Sequence, residues 1–193
     1  MDKTLKRKIK IAGLATLLAT SILAAGCATT SANHWQSKVN DELPVLGHRN
    51  WIVIADSAYP AQSRPGIETI ATGADQIAVV EAVLRAVDKA THVRANVYLD
   101  AEMKYVAEQD APGIDAYRRR LALLLDKREA KSIPHEELIA KLDEAAKTFR
   151  ILILKTNLTL PYTSVFLQLD CGYWSPQAEQ RLRQAIREAE KSG

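Results

Sequence analysis

The chain has 193 residues, 47% hydrophobic and 25% charged, with a formal net charge of +3. Five Lys/Arg and one Asp fall within residues 1–26, so the remainder has a net charge of about −1 and no basic surplus for nucleic acid. Cysteine and histidine have no zinc-ligand spacing, and the length suits one domain with a sizeable core.

At the N-terminus, Lys3, Lys6, Arg7, Lys8 and Lys10 precede an uncharged apolar stretch over 11–25. That stretch is short of the ~20 residues a spanning helix needs and has the length of an export signal. It ends Leu23-Ala24-Ala25-Gly26-Cys27, which resembles the lipobox of bacterial lipoproteins. The resemblance implies a signal peptide over 1–26, lipid on Cys27, and attachment to a membrane at the cell envelope. Ala28 stands where an inner-membrane retention signal places Asp, which points to the outer membrane, facing the periplasm, in a cell with two. With Cys27 lipidated, Cys171 has no intramolecular partner and reads as a small buried residue. Residues 28–42, rich in small and polar side chains, read as a flexible tether, so that the sequence divides into 1–26, 27–42 and a domain over 43–193.

Within the domain, Trp51-Ile52-Val53-Ile54-Ala55 is a β-branched apolar run that predicts a buried strand. A loop with Pro65-Gly66 follows. Ile77, Val80, Leu84 and Val87 are spaced by three and four and predict a helix over 75–90. Residues 93–99 alternate and predict a strand. Pro112-Gly113 opens a predicted helix over 114–127. The next helix is expected over 132–147, with Ser132 as N-cap and Pro134 in its first turn. Strands are predicted over 149–154 and 164–169, and a last helix begins with Ser175 as cap and Pro176 at its first position. Alternating strands and helices indicate an α/β fold, a central sheet flanked by helices.

Polar groups gather at strand ends in three places: Gly47-His48, Asp56-Ser57 and Tyr162-Thr163-Ser164. Histidine shuttles protons near neutral pH, a carboxylate accepts sugar hydroxyls or orients an imidazole, and a tyrosine donates a hydrogen bond or stacks on a sugar ring. Each group taken singly also fits a solvated loop, a turn or a cap.

The run Leu46-Gly47-His48-Arg49-Asn50-Trp51-Ile52-Val53-Ile54-Ala55-Asp56-Ser57-Ala58-Tyr59-Pro60 resembles the N-terminal signature of the D-ribose pyranase and L-fucose mutarotase (RbsD/FucU) family. Pro161-Tyr162-Thr163-Ser164-Val165-Phe166-Leu167 is similar to the family's Tyr-x-Asn and apolar strand, with Ser164 in place of Asn. The likeness covers about 43–173. It implies an RbsD/FucU-like α/β domain that interconverts anomers or ring forms of a free monosaccharide by acid–base ring opening, without a cofactor or metal. It also implies ring-shaped homo-oligomers whose active sites use two subunits. Carried over by position, His48 and Tyr162 are the expected catalytic residues, and Asp56, Asp100, Ser164 and His135 the expected sugar contacts. Two other readings stay open: a monosaccharide-binding envelope lipoprotein without turnover, and a structural envelope protein in which these residues are scaffold.

Overall fold

A computed structural model describes residues 34–192. The expected signal peptide and the lipid-bearing Cys27 lie outside the described residues. Its elements are α1 (His34–Glu42), β1 (Trp51–Ala55), β2 (Ile67–Ala71), α2 (Gln76–Lys89), β3 (Val93–Asp100), a 3-10 turn (Ala101–Tyr105), α3 (Ile114–Leu125), β4 (Ala130–Ile133), α4 (His135–Ala145), β5 (Ile151–Lys155), β6 (Val165–Cys171) and α5 (Pro176–Ser192).

One six-stranded sheet runs in the order β2-β5-β1-β6-β3-β4. β6 pairs antiparallel with both β1 and β3, and the other neighbours pair parallel. All five residues of β1 are buried because the sheet is covered on both faces. Ile52 and Ile54 join Leu152 and Leu154 of β5 on the face packed by α1, α2 and α3. Trp51, Val53 and Phe166 point the other way, onto Leu138 and Leu142 of α4. Expected α/β layering and the central sheet are therefore present.

Three local expectations change. Residues 34–42 are not tether: they form α1, whose Trp35 and Val39, one turn apart, are buried in the main core. Ser132 is not a helix cap, because Ala130–Ile133 is the edge strand β4, paired with Val97–Asp100, and α4 starts at His135 with Pro134 as its cap residue. The loop after Pro65-Gly66 contains β2, an edge strand only partly buried and paired with β5, so its hydrophobic signal is weak. Gly66 leaves room there for a close backbone approach: a Cβ would meet the Phe149 carbonyl oxygen at 3.1 Å.

The antiparallel insertion of β6 sorts the polar residues. β1 and β3 end on one edge of the sheet, where β6 begins, with Ile54 and Leu99 both opposite Val165. At the other edge Trp51 faces Gln168 and Arg94 faces Asp170. Asp56, Asp100 and Tyr162 thus share an edge, and His48 sits on the opposite one.

Candidate active site

Asp100 closes β3 and its side chain is fully buried. Its Oδ1 lies 2.9 Å from Nδ1 of His135, the first residue of α4. Both oxygens of Glu102, in the turn after β3, accept the backbone N–H of His135 at 3.0 Å, which fixes the start of α4. Burial pushes the Asp100 carboxyl above the ordinary carboxylate range; the His135 hydrogen bond opposes this, and the Glu102 and Asp56 carboxylates add to it. Ionised Asp100 can only accept, so it places the proton on Nδ1 and leaves Nε2 of His135 to exchange one.

Tyr162 meets the His135 ring edge-on, 5.6 Å between centroids and 85° between planes. Its φ of 56° is left-handed, a conformation a tyrosine holds only when its surroundings impose it. The imposing groups are buried. The Thr163 carbonyl accepts from Gln76 Nε2 at 2.5 Å and from the Tyr117 hydroxyl at 2.7 Å. Gln76 Oε1 in turn lies 2.8 Å from Thr156 Oγ1, which is 3.0 Å from the carbonyl oxygen of Ala55. This network ties the Tyr162 turn to the end of β1. Burial pushes the Tyr117 phenol up, so it remains a neutral donor.

Asp56 follows β1 and accepts the Ala58 N–H at 2.8 Å, which shapes the turn to Tyr59. Tyr59 is 4% exposed, and its hydroxyl has no protein partner; the second oxygen of Asp100 is likewise buried and unpartnered. Burial, with the nearby Asp100, Asp143 and Asp56 carboxylates, pushes the Tyr59 phenol up and keeps its O–H. Ser164 is almost fully buried, at the start of β6.

His48 is elsewhere. Between it and Asp56 lies the length of β1, roughly 13 Å for four steps of about 3.3 Å. Its Nδ1 is 2.8 Å from Asp170 Oδ1, and Arg94 Nη2 is 2.5 Å from Asp170 Oδ2. Burial works against the Asp170 charge, but Arg94, the Cys171 N–H and His48 together hold its carboxyl below the usual range. Cys171 is only partly buried beside it.

The structure therefore brings Asp56, Asp100, His135 and Tyr162 to one edge, and it does not bring His48 to them within one chain. Tyr59, Glu102, Gln76, Tyr117, Arg94 and Asp170 complete these arrangements and were not singled out as functional from the sequence. Tyr59-Pro60 lies inside the stretch that resembles the family's N-terminal signature. The others carried no local signal, because their partners are 33 to 87 residues away in the chain. Among the described residues no cluster of three or more His, Cys, Asp or Glu could hold a metal.

A single mixed sheet with carboxylate, imidazole and phenol groups gathered at its strand ends defines the chain as an α/β domain with a polar candidate site. Residues 33–173 match the RbsD / FucU transport protein family, and the chain belongs to that family. Solved structures similar to it include Bacillus subtilis RbsD complexed with D-ribose, at 23% identity over 69% of this chain and 92% of that one, TM-score 0.49. The fucose mutarotase of Streptococcus pneumoniae in complex with L-fucose matches at 16% identity over 75% and 97%, TM-score 0.47. FucU from Bifidobacterium longum matches at 17% over 69% and 94%, TM-score 0.47. No curated protein matches.

Proposed function

We propose that the chain is a monosaccharide mutarotase or pyranase, interconverting anomers or ring forms of a free sugar by acid–base ring opening. The observation that carries this is the Asp100–His135–Tyr162 arrangement, a buried carboxylate aligning an imidazole against an exposed phenol. In ring opening the anomeric O–H gives up its proton as the bond from the anomeric carbon to the ring oxygen breaks, and the ring oxygen takes a proton. Reclosure on the other face, or through another hydroxyl, reverses both transfers. His135 Nε2 and the Tyr162 hydroxyl carry these two protons, buried Asp100 orients His135, and Asp56 accepts sugar hydroxyls. His48 reaches the same sugar only from a second copy of the chain, as the family's two-subunit sites imply. Membership of the family supports the reading.

One observation favours a binder without turnover: Ser164, where the family signature has Asn, is buried and presents no amide to a sugar.

The test is exchange between α and β anomer signals of fucose, ribose, galactose and glucose, followed by NMR with the full chain in mild detergent. Acceleration is expected for at least one sugar. His135→Ala should reduce it by about 10²–10⁴ with the circular dichroism unchanged. A mixture of inactive His48→Ala and Tyr162→Phe chains should recover part of it. No acceleration for any sugar removes the enzyme; acceleration without recovery in the mixture removes His48 from the site.

A further inference from the structure

The edge of the sheet that carries His48 opens into a cleft of about 540 Å³. Its floor is Arg94 and Asp170, register partners on β3 and β6. His48 and Arg49 form one rim, and Trp174 with the first turns of α5 forms the other. Residues 174–192, which supply this second rim, lie beyond the segment that matches the family.

The two acidic groups of the cleft are fully engaged. Asp170 takes His48 and the Cys171 N–H on one oxygen and Arg94 on the other. Glu179 takes the Trp174 indole N–H at 2.8 Å on one oxygen and Arg183 Nε at 2.6 Å on the other. Arg94 is also spent, its second terminal nitrogen bonding the Trp174 carbonyl at 3.2 Å. What remains is cationic. Among the described residues the Arg49 guanidinium has no ion-pair partner; it lies 5.7 Å above the Phe149 ring. Arg183 binds through Nε and keeps both terminal nitrogens free among the described residues. Arg49 is held at φ 76°, a strained conformation of the kind found in ligand clamps. Trp174, 42% exposed and locked by its N–H bond, offers an aromatic plate.

We propose that this cleft binds an anionic monosaccharide, its carboxylate or phosphate held by Arg49 and Arg183 and its ring stacked on Trp174. Planar guanidinium groups match both anions bidentately. The sugar half of the inference rests on the function proposed above; the anion half rests on the cleft alone.

The test is titration of the full chain in mild detergent with galactose, galacturonate and galactose 6-phosphate by calorimetry. At least one acidic sugar should bind about tenfold tighter than galactose, and less tightly as salt rises. The double variant Arg49→Gln, Arg183→Gln should bring the acids to the level of galactose, and Trp174→Leu should weaken all three. Both arginines are solvent-facing, so folding survives. Which acid wins identifies the anion. Equal binding of all three by the wild-type chain, absence of binding, or a preference that survives the double variant overturns the proposal. Acid binding without anomer exchange sinks only the isomerase; exchange without acid preference sinks only this cleft.

Discussion

At the scale of single residues, Asp100 is the group whose environment is most at odds with its charge. Its carboxyl is raised by burial, so the folded chain holds that proton at pH values where the unfolded chain has released it. Stability from this group is present below the ordinary carboxylate range, near pH 4, and is lost as pH rises through the raised value. Asp100→Asn should remove this slope. The difference in Tm, variant minus wild type, is expected to grow as pH rises from about 4 and then level off; a difference constant between pH 4 and 8 contradicts the assignment. Of the candidate site, Asp56 and Tyr162 were legible as polar groups at strand ends, and Asp100 and His135 only through the family resemblance. Their grouping was not. A strand holds its two ends apart, so His48 and Asp56, close in sequence, are divided, while Asp100 and His135, 35 residues apart, touch.

At the scale of elements, hydrophobic periodicity identified the elements that bury a full face. β1, α2, β3, α3, β5 and β6 all fall within a few residues of their predicted bounds. α1, β2 and β4 were missed for one physical reason. Each is short and gives only one or two side chains to the core, so neighbours rather than pattern decide its conformation. α5 is the reverse case: its cap was plain in the sequence, with Ser175 Oγ accepting the Ala178 N–H at 3.0 Å, yet its Leu182 and Ile186, one turn apart, stay exposed. The energetic contrast is measurable by denaturant unfolding. Trp35→Ala in α1 should cost about 3–5 kcal/mol, since a buried aromatic leaves a cavity. Leu182→Ala in α5 should cost no more than about 0.5 kcal/mol. Comparable losses would mean that α5, too, is held by packing.

At the scale of the molecule, the α/β architecture followed from the alternation of elements, whereas the strand order did not, because pairing partners are set by contacts across more than a hundred residues. We propose that the molecule works at the cell envelope, tethered by lipid on Cys27. Six residues separate Cys27 from His34, seven steps with a reach of at most about 25 Å, so the tether would hold the domain against the bilayer surface. Cys27→Ser should move the chain from the detergent phase to the aqueous phase on Triton X-114 partitioning; a chain that partitions alike with and without the cysteine is not a lipoprotein.

The place of β6 has a consequence for when the chain can close. It comes after every other described strand in the chain and occupies the middle of the sheet, between β1 and β3. Until residues 165–171 arrive, the group β2-β5-β1 and the pair β3-β4 each present an apolar flank with no neighbour to zip against, and the non-local pairings that join them form late. Closure of the sheet therefore waits on a segment that lies C-terminal to every other described strand, and the two halves stay separable until it inserts between them.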